Sequence, residues 1–300
     1  GTGGMAMVLL TGTLNRVMIV ELGMAASVVA VMVAAPVLFA PLRLLIGHRS
    51  DHARSYIGWR RTPYIWFGTL SQFGGFAILP FALLILAEGI HPPWIGQSAA
   101  ALAFLLIGAG LHTVQTTGLA LASDLATDET RPRIVALFYI MLLVGMLLAA
   151  LVFGWALKDF SPLRLIEVIQ GAAVVTKVLN LIAVGQHEPR DPERTKPSLP
   201  RPAVRTTLAA LITNKQAARF MAAVALGTAA FSMQDVLLEP YGGELLALSV
   251  SATTQLTAVL ATGTLIGIWF AARRISAGRG TMRSAAGGLI VGMAGFVAVI

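Results

Sequence analysis

Residues 47–66, GHRSDHARSYIGWRRTPYIW, set Arg49, Asp51, Arg54, Arg60 and Arg61 between two long apolar runs. A short basic segment in that position is a loop between membrane spans, because Lys and Arg in short loops stay on the cytoplasmic side. This one connection therefore fixes the direction of every other span.

The composition agrees. Hydrophobic residues make up 56% of the 300 and charged residues 12%, with a mean hydropathy of +0.78. A soluble core does not need so much apolar surface. The net charge of +8 would suggest nucleic acid in a soluble chain. Here the basic residues fall in short loops, where anionic lipid headgroups are the counterpart and nucleic acid is not expected as a partner. The chain has no cysteine, which excludes disulfide and thiolate chemistry.

With roughly 20 apolar residues per crossing, the sequence divides into nine spans. They run over 1–22, 25–46, 64–87, 97–122, 134–157, 164–185, 216–238, 250–272 and, incompletely, 284–300. The chain begins and stops inside apolar sequence, which predicts a piece of a longer protein cut at both ends. The loops assigned to the inside collect Arg43 to Arg61, Arg131 and Arg133, the run from Arg190 to Arg219, and Arg273 to Arg283. The opposite loops hold little beyond Lys158 and Arg164. The first span then starts on the cytoplasmic side.

Three segments follow: a six-span half over 1–187, a cytoplasmic linker over 188–215 rich in Pro and charge, and the start of a second half over 216–300. Two halves of like orientation joined by a strap predict an all-α transporter plan of two pseudo-symmetric six-helix halves. Asn15-Arg16-Val17 leading to Glu21 in the first span, and Gln234-Asp235-Val236 leading to Glu239 in the seventh, are the polar pairs that duplication would leave.

The segment from Gly47 to Arg61 resembles the loop motif of the major facilitator superfamily, with Gly47 at the turn, Asp51 as the acid and Arg54, Arg60 and Arg61 as the bases. The gap from Asp51 to Gly58 is wider than in the general motif. More specifically, the chain resembles the PucC/LhaA group, the bacteriochlorophyll delivery branch of that superfamily. The resemblance rests on LLTGTLNRVMIVELG (9–23), IGHRSDHARSYIGWRRTPYIWFGTL (46–70), TTGLALASDLATDETRPRIVALFYIMLLVGM (116–146) and QDVLLEPYGGE (234–244). It implies twelve spans and residence in a bacterial inner, intracytoplasmic membrane. It also implies bacteriochlorophyll as cargo, and partnership with light-harvesting polypeptides and with pigment-synthesis or insertion machinery.

Ionisable groups inside spans are costly unless paired or facing a cavity. Arg16 and Asp235 would be equivalent under the duplication and could close the outer end of a central cavity as an ion pair. Snorkelling by Arg16 and helix capping by Asp235 compete with that reading. Asn15, Gln115, Glu167, Lys177, Gln234 and Glu239 complete the expected polar layer. For the sixth span, a helix-packing seam is the alternative. Asp51 has two readings, a latch stabilising one conformational state or a marker of topology alone.

His112, in the middle of the fourth span, is the candidate pigment ligand, since a neutral imidazole can bind the magnesium of a bacteriochlorin. A buried His bonded to a neighbouring helix is the alternative. Tyr64, Trp66, Trp94, Trp155 and Trp269 lie near span ends, as an interfacial belt would. The sequence carries no phosphate-binding loop, metal-spaced cluster or nucleophile with its base, so no enzyme activity is expected. Delivery of bacteriochlorophyll, proton-coupled transport of a small amphiphile, and a scaffold without pigment remain as function classes.

Overall fold

In a bilayer every backbone N–H and C=O must be satisfied within its own segment, and a chain with nine apolar runs has the helix as its solution. The computed structural model describes residues 1–36, 42–53, 58–184, 188, 213–276 and 281–299, and among them there is no strand. The helices are α1 (Thr2–Glu21), α2 (Ala26–Ala34), α3 (Leu42–Asp51), α4 (Thr62–Glu88), α5 (Pro93–Asp124), α6 (Arg131–Ala156), α7 (Pro162–Val184), α8 (Lys215–Glu244), α9 (Val250–Ser276) and α10 (Thr281–Val299).

Six segments are long and apolar enough to cross a membrane: α1, α4, α5, α7, most of α6 (Arg133–Ala156) and most of α9 (Val250–Arg274). The expected nine therefore become six among the described residues. The second apolar run is divided into α2 and α3, each too short to cross alone. Pro36 closes the described residues after α2, and residues 37–41 lie outside them. Among the described residues α8 and α10 carry shorter apolar stretches, Met221–Ala230 and Ala286–Gly295.

The core centres on α1, whose Ala6, Val8, Leu9, Leu14 and Met18 are fully buried, with Phe76 and Leu79 of α4, Phe104 and Ile107 of α5 and Ile169 of α7 around it. The helices α4 and α5 pack along each other closely, because Gly75 lies against the Ala103 carbonyl and Gly110 against the Gly68 carbonyl. Residues 1–184 (the first half of the described chain) meet residues 213–299 (the second) mainly where α6 packs on α9 and where α1 packs on α8 and α9. Trp66, Trp94, Trp155 and Trp269 are all exposed on the protein surface.

Candidate functional site

Polar chemistry concentrates at three places. The first is the end of the bundle that carries the basic loop. Gly58, with φ of 83°, turns the chain so that Arg60 and Arg61 come back over α3. The Arg61 side chain is only 5% exposed and reaches Asp51 at 2.5 Å and Asp124 at 3.1 Å. It also donates to Ser50 Oγ at 2.8 Å. Arg60 reaches Asp124 at 3.1 Å and the Asp51 carbonyl at 3.3 Å. A guanidinium offers five donors in a fixed fork, so one Arg can hold two carboxylates and a hydroxyl together.

Glu188 completes the cluster. Its carboxylate accepts the backbone N–H groups of Arg60 (2.7 Å), Arg61 (2.9 Å) and Thr62 (2.7 Å) at the start of α4. Those N–H groups have no partner inside the helix, and the helix dipole favours a negative charge there. Partial burial works against the charge, but the backbone hydrogen bonds outweigh it and hold the Glu188 carboxyl below its usual range. Asp51 and Arg61 after the second run, Asp124 after the fourth span and Glu188 after the sixth thus share one end, as alternating spans require. Gly47 does not stand at a turn. It lies within α3 against the Thr116 methyl, and Gly58 makes the turn instead. Asp51 is held by Arg61 of its own half. Arg54 and the linker between Glu188 and Thr213 lie outside the described residues.

The second place is the layer between α1 and the second half. Here α1 departs from α-helical spacing, running as a π-helix over Val8–Thr13 and again over Val17–Glu21. Such stretches are rare and cluster at functional sites. In an α-helix, residues five apart do not face each other, but π spacing closes the turn at five. Arg16 accordingly bonds Glu21 at 2.7 Å and donates to the Leu248 carbonyl at 2.9 Å. Gly243 leaves room for the guanidinium, and Arg16 Nε is buried without a partner.

One turn earlier, Gly12 faces the carboxylate of Glu239, and a Cβ at Gly12 would overlap it. Glu239 is 1% exposed. Its Oε1 accepts from Thr257 of α9 at 2.7 Å, while Oε2 has no partner. Thr13 and Thr254 hydrogen-bond at 3.1 Å, and Asn15 donates to the Val236 carbonyl at 2.6 Å. The side chains of Gln234 and Asp235 lie outside the described residues.

The other expected members of this layer stand elsewhere. Glu167 is exposed and 3.5 Å from Arg164. Lys177 lies over the ring of Phe73, 4.5 Å from its centroid. Gln115 borders a cavity within the first half.

The third place is His112 on α5. Its buried Nδ1 has no hydrogen-bond partner. No group of three or more His, Asp or Glu suited to a metal ion occurs among the described residues.

Glu188, Gly12 and Thr257 are absent from the residues that the sequence singles out. The signal for Glu188 was an acid directly after the sixth span, opposite a helix start whose N–H groups needed an acceptor.

A family profile described as "PUCC protein" matches residues 13–300. The chain is 53% identical to Protein PucC of Rhodovulum sulfidophilum, over 99% of this chain and 67% of that one. It is 52% identical to Protein PucC of Rhodobacter capsulatus, over 100% of this chain and 66% of that one. A more distant relative is the bacteriochlorophyll synthase 44.5 kDa chain of Rhodobacter capsulatus, 28% identical over 88% of this chain and 60% of that one. The chain thus spans roughly two thirds of the length of its similar relatives.

Proposed function

The chain belongs to the PUCC protein family, and from that premise we propose that it serves the assembly of light-harvesting complexes in a phototrophic bacterium by binding bacteriochlorophyll and delivering it to nascent antenna polypeptides. The observation that carries this reading is the match to the family through both halves, supported by the name of the bacteriochlorophyll synthase relative. In the same reading the fold is that of the major facilitator superfamily, completed by spans outside this sequence, in the inner membrane with the first span starting on the cytoplasmic side. The contact of α6 with α9 supports it, because a fifth-to-eighth pairing is what a pseudo-twofold axis between repeated halves makes.

His112 is the residue we propose as pigment ligand. A neutral imidazole nitrogen without a hydrogen-bond partner is free for a metal, and His112 Nδ1 is buried in that state. Nδ1 is closed off in this conformation, so loading requires neighbouring helices to part. The charged cluster at the basic end would stabilise the closed arrangement by tying the starts and ends of four elements together.

The test is an absorption spectrum of the full-length protein purified in mild detergent from a pigment-producing host, beside His112→Leu. Near-infrared bands at stoichiometric level that fall in the variant are the expected result. Bands retained in both would remove His112 as the ligand, and bands absent from both would remove delivery.

Glu239 favours a second reading, proton-coupled transport of an amphiphile. A buried carboxylate with an unpartnered oxygen between two halves is where a carrier would take up a proton. A pH-dependent flux lost in Glu239→Gln would support that reading over delivery.

A further inference from the structure

A cavity of about 120 Å³ lies inside the first half, among α1, α3, α4, α5 and α6, and none of its wall residues belongs to the layer around Glu239. Its wall is apolar over Leu111, Val114, Phe138 and Leu142 but carries Arg43, Gln72 and Gln115, with Gly1, Thr2 and Gly3 closing the side toward α1.

Each of the three is built in. Arg43, half buried at the start of α3, gives its Nε–H to Thr116 Oγ at 3.0 Å. Gln72 is 1% exposed, and its buried Oε1 has no hydrogen-bond partner. It is pressed inward by Gly110, where a Cβ would come 2.6 Å from Gln72 Cγ. Gln115 faces α1 at Gly3, where a Cβ would stand 2.8 Å from its amide nitrogen. Glycine on α1 thus leaves the Gln115 amide room.

A cation and an amide donor beside an apolar wall ask for an anionic acceptor, and a bare buried acceptor asks for a donor. We propose that Arg43, Gln72 and Gln115 form a subsite for the carboxylate of an otherwise apolar molecule. The carboxylate oxygens accept from Arg43 and Gln115, a water beside them donates to Gln72 Oε1, and the apolar wall meets the first carbons of the body. The volume suits this division, since one water takes roughly 30 Å³ and sites for whole ligands begin near about 300 Å³. Only the polar head enters. The inference rests on the cavity alone and holds whether or not the pigment reading does.

The test uses the full-length protein in an uncharged detergent, with oleate and methyl oleate as probes in a calorimetric titration. Oleate is expected to bind at least tenfold tighter than its methyl ester. Arg43→Gln should abolish that preference, Arg43→Lys should keep part of it, and Gln115→Leu should weaken oleate severalfold. Because Arg43→Gln could disturb the contact with Thr116, the Lys and Leu variants serve as the independent check. Equal binding of acid and ester, an undiminished preference in Arg43→Gln, or no binding of either probe, as a cavity holding water alone would give, overturns the proposal. Competition by bacteriochlorophyllide, a free acid, would identify the source as a pigment precursor. Its failure beside bound oleate would identify a fatty acid.

Discussion

The basic end and the layer between the halves are each built from a buried Arg with carboxylates, yet in the first the Arg and the acids are all partnered and in the second they are not. At the basic end Arg61 meets Asp51, Asp124 and Ser50, and the Glu188 oxygens take the backbone donors of α4. In the layer, Arg16 Nε and Glu239 Oε2 are buried without partners. A saturated network favours one arrangement, because every departure from it exposes several groups at once. An unsaturated layer lies closer in energy to alternatives, because rearrangement can supply what is missing. The first region has the character of a fastener and the second that of a moving joint.

The strongest way to break the comparison is to remove Arg61. Arg61→Ala takes a buried guanidinium away from two half-exposed carboxylates and Ser50, and losing hydrogen bonds between charged groups costs about 3 kcal/mol. The melting temperature of the purified full-length protein is expected to fall by more than in any other variant here. Arg61→Lys should recover only part of the loss, since an ammonium cannot span both acids as a planar fork does. A loss no greater than that of Arg60→Ala would show that the fastener is shared and not centred on Arg61.

Next in size is the contact across the joint. Gly12→Ala places a methyl in the space of the Glu239 carboxylate, and overpacking of this kind costs about 2 kcal/mol. Glu239→Ala vacates that space, so the double variant should be more stable than the sum of the two single losses predicts. Additive losses would mean that α1 and α8 adjust independently and that the contact does not couple the halves.

Apart from Glu188, the residues of the fastener stand out in the sequence, and at the joint Asn15, Arg16 and Glu239 do, but not the contacts they make. Asp51, Arg60 and Arg61 stand out because charges between apolar runs have few roles, and alternation of spans brings Asp124 to the same end. Glu188 was hidden by composition, since an acid in a stretch rich in Pro and charge reads as linker. At the joint, Arg16 and Glu21 are five apart, a spacing that argues against contact under α-helical periodicity. The π turns that bring them together leave no mark in an apolar run. Gly12 reads as a packing glycine until the carboxylate opposite it is known.

A smaller effect sharpens the fastener through pH. Glu188 is held below its ordinary value of 4.5 by the N–H groups at the start of α4. A carboxyl with a depressed folded value contributes stability that is present in full above the unfolded value and is lost as pH falls through the folded one. Glu188→Gln should cost about 1.5 kcal/mol at neutral pH, as expected for hydrogen bonds to a charged group. It should also flatten the loss of stability on acidification below pH 4.5. A variant with the neutral-pH loss but an unchanged acid limb would show that Glu188 does not set that limb.

The smallest effect separates neutral polar contacts from ionic ones within the joint. Thr13 and Thr254 are both fully buried, and their hydroxyls meet at 3.1 Å. Removing one hydroxyl should cost roughly 0.5 to 1 kcal/mol, because the other loses its partner in a place water does not reach. Replacing both with Val conserves shape and leaves neither hydroxyl behind, so Thr13→Val with Thr254→Val should lie nearer to wild type than either single variant. If the double variant is instead the least stable of the three, the hydroxyls serve more than each other. The joint would then hold a polar network joining the Thr pair to Thr257 and Glu239, and its incompleteness at Oε2 would be confined to one atom.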